Sequence, residues 1–353
     1  MEKFSYSKLS TYENCGFKYK LIYKDKHFVE DSSVATDFGS LVHHMEEVMA
    51  KKINAGEELN YSDLITEFYN INTDFDEWKQ DDGQKLIGVN FLKTKYPDEF
   101  YEKDKNGTTY EDKVQTYVHT GIYRLANYLK ANPDLQIVGI EQPFNIEYKP
   151  GIVFHGFIDR VFFNPKTGEY FVEDIKTYSA PLEKKDLTTP LQFVFYVNAL
   201  KEIYPLVDEK LVKCFYELPL CDVKQEAGTA GFVARGNQKI DKLLNNIDQG
   251  MFDPKPTPLC HWCVFSATKP KQPEEAKNLC PYFSHWTRET KDFTVEYEWQ
   301  GMENHEAVLE AFKKKGQKVS EEQYKKNQRQ EALGLQDEIV LNMEDRRFRL
   351  RLK

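Results

Sequence analysis

Residues 153–179 read VFHGFIDRVFFNPKTGEYFVEDIKTYS, and this stretch decides the fold. Two runs of β-branched and aromatic residues flank the turn sequence NPKTG, which predicts an antiparallel hairpin. Side chains alternate along a strand, so Tyr170, Val172, Asp174 and Lys176 share one face while Glu173 and Ile175 take the other. The turn folds Asp159 of the first strand back toward Asp174 of the second. Two convergent carboxylates on rigid strands suit a hard divalent ion such as Mg²⁺, which takes oxygen ligands from one or two carboxylates plus water and phosphate. Lys176 beside them can position or help deprotonate an attacking water and offset phosphate charge. The layout is one for phosphodiester hydrolysis.

Outward from the hairpin, LQIVGIEQPFNIEY (from Leu135) and KLVKCFYELPL (from Lys210) read as further strands. Glu141, on the first of these, reads as structural. Between the hairpin and the second strand, Thr189 and Pro190 supply an N-cap and first-turn proline for a helix through LQFVFYVNALKEIY. A further helix is expected near 235–248. Upstream, 5–26 is helical with Leu9, Tyr12 and Cys15 on one face, and 38–52 is a helix with His43 and Glu47 one turn apart. The polar, acidic stretch 53–132 is helical, broken at Gly83, Pro97 and the KDKNGTT turn. The last segment, 290–353, reads as a strand, two helices and a terminal hairpin ending RRFRLRLK.

These elements give an α/β chain: a mixed sheet flanked by helices. The expected divisions are 1–52 (N-terminal helices), 53–134 (helical insertion), 135–250 (sheet core), 251–289 (cysteine loop) and 290–353 (C-terminal α+β extension). With 353 residues, 40% hydrophobic and 30% charged, collagen-like, disordered and disulfide-framework classes are excluded. No stretch approaches the ~20 apolar residues of a membrane span and no apolar leader opens the chain, so a soluble cytoplasmic protein is expected. A net charge of −9 means that any nucleic acid must be held by a local patch.

The order Gly39 and His43, then Gly156, Asp159 and Arg160, then Asp174, Lys176 and Thr177, then Gln192 and Tyr196 resembles the RecB-like branch of the PD-(D/E)XK nuclease superfamily. By that resemblance the core is restriction-endonuclease-like and the protein is a Mg²⁺- or Mn²⁺-dependent deoxyribonuclease. Asp159 and Asp174 bind the metal, the Ile175 main-chain carbonyl is a further ligand, His43 lines or ligates the site, and Lys176 is catalytic. Gln192 and Tyr196 contact the nucleic acid or brace the site, and Arg160 either contacts DNA or pairs with a nearby carboxylate. The family counterpart of Glu141 is a second-rank site residue.

Of six cysteines, Cys260, Cys263 and Cys280 cluster late in a proline-rich loop, and Cys15 stands near the start. Iron-sulfur members of the same branch, AddB-like and CRISPR-associated RecB-like exonucleases, place one cysteine before the nuclease core and three after it. The resemblance therefore implies a 4Fe-4S cluster on Cys15, Cys260, Cys263 and Cys280. The 16 residues between Cys263 and Cys280 exceed the spacing expected there, and an inserted KPKQPEEAKN loop explains them. Four cysteines also satisfy a tetrahedral structural zinc site, and spacing does not separate the two.

KYKLIYKDKH interleaves lysines with tyrosines, so Lys18, Tyr19 and Lys20 are candidate DNA contacts, or a solvated helix face. No G-x-x-x-x-G-K-[ST] loop is present, so unwinding would come from a helicase or recombination partner. The expected activity is exonucleolytic, on DNA ends or single strands, in recombination, repair or phage DNA processing. The alternative is a non-catalytic DNA-binding or assembly subunit stabilised by a metal cluster.

Overall fold

The computed structural model describes residues 2–27, 29, 32–71, 87–104, 106–204, 208–255, 260, 263–265, 276 and 279–280, together with the backbone of four strands between 282 and 352. The elements are β1 (Glu2–Phe4), α1 (Tyr6–Asn14), α2 (Gly16–Tyr19) with a π-helical turn (Lys20–Lys24), α3 (Val34–Asn54), α4 (Tyr61–Asn70), α5 (Val89–Lys95), α6 (Pro97–Tyr101), α7 (Tyr110–His119) and α8 (Arg124–Ala131). There follow β2 (Gln136–Lys149), β3 (Ile152–Asn164), β4 (Glu169–Ile175), α9 (Lys184–Thr188), α10 (Leu191–Ile203), β5 (Val212–Leu218), β6 (Val223–Ala227) and α11 (Phe232–Asp248). The last strands are β7 (Tyr282–Trp286), β8 (Phe293–Tyr297), β9 (Glu338–Met343) and β10 (Arg346–Leu352).

The chain forms two compact units, Met1–Tyr6 with Ser32–Ile240, and Ser7–Asp31 with Asp241–Lys353. The linear divisions at 52 and 134 do not separate units. The reason is packing: Phe38, Leu41 and Met45 of α3, Phe68 of α4, Leu92 of α5, Tyr117 of α7 and Phe162 and Ile175 of the sheet share one buried cluster. The helical stretch is the cover of the sheet.

In the first unit the strands run β1-β3-β4-β5-β6, with β2 on the other edge of β3. Pairing is parallel for β1–β3 and β4–β5 and antiparallel for β2–β3, β3–β4 and β5–β6. The hairpin turn is closed by the Gly168 N–H donating to the Asn164 carbonyl at 2.8 Å, with Gly168 at φ 74°, where a side chain would be strained. Its register pairs Arg160 with Glu173. The β1 ladder ends at Phe154 and the β4 ladder begins at Arg160, so residues 155–159 of β3 lie in a gap between two partners on one edge.

α10 packs on the sheet through Phe195, stacked on Phe154 with centroids 4.0 Å apart, and through Phe193 against Tyr216. It starts at Leu191 with Pro190 as N-cap and no side-chain cap, so Thr189 is not the cap expected. The Pro190 carbonyl already accepts the first helical N–H, from Val194, which places the boundary one residue later. α11 can lie against α10 because a Cβ at Gly236 would sit 2.3 Å from Val194 Cγ2.

In the second unit α1 and α2 pack on the chain after α11. The Tyr12 hydroxyl donates to the Met251 carbonyl at 2.6 Å, and Tyr19 stacks on Phe252. The four-stranded sheet runs β7-β8-β10-β9, with β9–β10 the antiparallel terminal hairpin. The two helices expected between its strands lie outside the described residues.

Candidate metal centre and active site

Register builds the site. Arg160 faces Glu173 in the last pair of the ladder, so Asp159 and Asp174 stand immediately beyond it, at the point where β3 and β4 part. The Ile175 N–H donates to Asp159 Oδ2 at 2.7 Å, which fixes one carboxylate against the other strand. Lys176 continues β4, its N–H donating to the Glu217 carbonyl at 2.8 Å, and its ammonium lies 2.6 Å from Asp174 Oδ2.

α3 brings His43. Its first turn is capped by Ser33, and its buried stripe of Phe38, Leu41, Val42 and Met45 sets the helix on the sheet. His43 Nδ1 then lies 3.6 Å from Asp159 Oδ2. β2 brings Glu141, flanked by the pairs Ile140 with Arg160 and Gln142 with Ile158, and so opposite Asp159. Glu141 is held at φ 41°, a conformation that L side chains adopt rarely and at a cost of about 1–3 kcal/mol. His43, Glu141 and Asp159 each offer a ligand atom within 4.8 Å of the others. Glu141, read from the sequence as structural, thus stands where it offers a ligand atom to the candidate site. The signal for it was a ladder position opposite Asp159, which needed the register of a third strand.

Burial raises the Asp174 carboxyl; the Lys176 ammonium pulls it back and the Asp159 charge pushes it up again, to about 6. Burial, then the Asp159 charge, raise Glu141 to about 7. Burial works to lower the Lys176 ammonium, but Asp174 and Asp159 outweigh it and the net shift is upward. Lys176 is therefore a cation at neutral pH. It can position a water and offset phosphate charge, whereas the deprotonating role allowed from sequence does not suit a lysine held protonated. The donor set of His43, Glu141 and Asp159, with Asp174 beside it, fits a hard divalent ion. Asp174 stands outside the trio, with Oδ1 accepting from the Tyr196 hydroxyl at 3.1 Å and Oδ2 against Lys176.

Tyr196 is buried and takes a hydrogen bond from Gln192 Nε2 at 2.8 Å. Of the two roles expected for this pair, bracing the site is the one that Tyr196 can fill, since its ring does not reach solvent. Of the two roles expected for Arg160, pairing with nearby carboxylates is the one the structure shows. It is 2% exposed, its Nε donates to Glu173 at 2.8 Å and its Nη1 to Glu46 at 3.2 Å. Lys224 also pairs with Glu173, and Arg124 with Glu217, so three carboxylates and three cations balance in a buried network. Balance explains why the charges tolerate burial.

In the second unit Tyr19 is fully buried, stacked on Phe252, and is removed from the expected DNA contacts. Lys20 pairs with Asp25 at 2.9 Å on the surface. Lys18 is partly exposed and its N–H donates to Cys15 Sγ at 3.4 Å, making Cys15 the cap of α2. Cys15, Cys260, Cys263 and Cys280 are all partly buried, and none is in a disulfide. Cys263 and Cys280 pack with Phe17 and Leu21 around Val264, Phe265 and Ala276, so the segment after Cys15 and the late cysteines share one apolar cluster. Cys214 is buried in β5.

The family model for the PD-(D/E)XK nuclease superfamily matches residues 3–268. Among solved structures, that of a Eubacterium rectale protein named "Putative exonuclease" is similar, at 11% identity over 74% of this chain and 86% of that one, with a TM-score of 0.38. The crystal structure of SSO0001 is similar at 16% identity over 59% of this chain and 94% of that one, with a TM-score of 0.25. No curated protein matches the sequence.

Proposed function

The chain belongs to the PD-(D/E)XK nuclease superfamily, and from that premise we propose that it is a divalent-metal-dependent deoxyribonuclease, acting exonucleolytically on DNA ends or single strands. The observation that carries this reading is the meeting of His43, Glu141 and Asp159 within 4.8 Å, beside the Asp174–Lys176 ion pair. His43, Glu141, Asp159 and Asp174 would hold Mg²⁺ or Mn²⁺, with the Ile175 carbonyl as a further candidate. When bound, such an ion polarises the phosphate and lowers the pKa of a water. The Lys176 ammonium offsets charge that develops on the phosphate. Tyr196, held by Gln192, orients the Asp174 carboxylate.

Cys15, Cys260, Cys263 and Cys280 are the proposed ligands of a 4Fe-4S cluster, with structural zinc as the competing occupant. The shared apolar cluster that gathers Phe17, Cys263 and Cys280 supports one site in the second unit. The setting would be recombination, repair or phage DNA processing, with a helicase supplying unwinding. Among the described residues no helix is long and apolar enough to cross a membrane.

The deciding experiment incubates the purified chain with labelled single-stranded, linear duplex and circular DNA in Mg²⁺ or Mn²⁺. Cleavage that shortens linear DNA from its ends, spares circles and disappears in Asp174→Ala is expected. An Asp174→Ala protein that degrades DNA at the parental rate overturns the site. Binding without cleavage by the parental chain returns the protein to an assembly subunit.

A further inference from the structure

Large aromatic side chains are ordinarily sunk in the core, and the described part of this protein exposes only three of them: Tyr101, Phe157 and Tyr178. Two of the three flank the acidic site. Phe157 is 60% exposed and precedes Asp159 by two residues on β3, so strand alternation puts it on the Asp159 face, about 7 Å along. It sits in the 155–159 gap, where β1 has ended and β4 has not begun. Tyr178 is 46% exposed and follows Lys176 by two residues, just past the end of β4. Its backbone is held in place, the Tyr178 carbonyl accepting from Cys221 Sγ at 3.0 Å.

Each ring stands along the chain from a charged group of the site, Phe157 from Asp159 and Tyr178 from Lys176, which is the pattern of a base platform next to a backbone track. Stacking on a side chain needs a free base face. Bases inside a duplex have none, so such platforms select unpaired nucleotides.

We propose that Phe157 and Tyr178 are stacking platforms for the unpaired bases on the two sides of the scissile phosphate, and that they make single-stranded DNA the preferred substrate of this site. The assignment rests on the nuclease reading above and names the residues that would select the strand state.

The test measures fluorescence anisotropy of a fluorescein-labelled 20-nucleotide single strand, and of a blunt duplex, in Ca²⁺. The proteins are the full-length parent, Phe157→Ala, Tyr178→Ala, and the aromatic-retaining Phe157→Trp and Tyr178→Phe. Each alanine variant should bind the single strand roughly five- to a hundredfold more weakly, with a smaller change on the duplex. The aromatic-retaining variants should bind as the parent does, and Phe157→Trp should gain indole fluorescence that the single strand quenches. In Mn²⁺ turnover the alanine variants should lose mainly in KM. Both side chains are exposed, so parental melting temperatures are expected. Single-strand affinity unchanged in both alanine variants, or lost equally on the duplex, overturns the platforms. A parent that cleaves no DNA sinks the nuclease reading itself, whereas a cleaving parent with unaffected alanine variants sinks the platforms alone.

Discussion

Glu141 and Asp174 carry protons further into the neutral range than carboxylates usually do, for one physical reason: Asp174 is buried and Glu141 partly so, and each faces the Asp159 charge. A protonated carboxyl is neutral and a poor cation ligand, so the sign is fixed: divalent affinity is weak below these values and strong above them. Mn²⁺ affinity is expected to rise from pH 5 to pH 8, by roughly tenfold per pH unit for each proton displaced, with inflections near 6 and 7. Glu141→Gln should weaken binding and erase the upper inflection. Isothermal titration across this range checks both, and a flat profile would remove the carboxylates from the ligand set.

At the scale of elements, a single guanidinium ties together three of the four that carry the site. Arg160 follows Asp159 on β3, Glu173 precedes Asp174 on β4, and Glu46 lies one turn beyond His43 on α3. Arg160 bonds to both glutamates in surroundings almost closed to water. Removing one partner of a buried ionic group leaves the others unpaired, so Arg160→Met should cost about 3–5 kcal/mol of stability. Urea unfolding measures the loss, and the Mn²⁺-induced rise in melting temperature should shrink with it because the ligands no longer share a frame. A loss below ~1 kcal/mol would mean that the network is not what holds α3 to the hairpin. The hairpin itself was legible because NPKTG and strand alternation are local signals. The cap of α10 was misread by one residue, because Thr and Pro adjacent to each other satisfy the same pattern in two frames.

Over the whole molecule, the N-terminal cysteine and the late cysteines fall in one unit although about 245 residues separate them in sequence. A metal centre bridging them binds the native state and not the unfolded chain, so its binding free energy adds to folding. Cys15→Ala and Cys280→Ser are each expected to lower iron content and melting temperature together, whereas shortening 264–279 spares both. Anaerobic visible absorption, metal analysis and thermal unfolding make the measurement. Full iron and the parental melting temperature in Cys15→Ala would remove the N-terminal ligand.

The sequence by itself determined the hairpin, the approach of Asp159 to Asp174, the position of Lys176 and the helix that carries His43, since each follows from short-range alternation or periodicity. Only the tertiary structure decided which side chains meet water. For Arg160, Tyr19 and Tyr196 the sequence leaves a DNA contact and a structural role both open, because polar or aromatic residues in a basic or motif context serve either, and packing sinks all three. Glu141 read as structural because nothing local marks it, and the β2–β3 register sets it beside His43 and Asp159. Burial and cross-strand neighbours are sums over distant segments, and no window of sequence contains them.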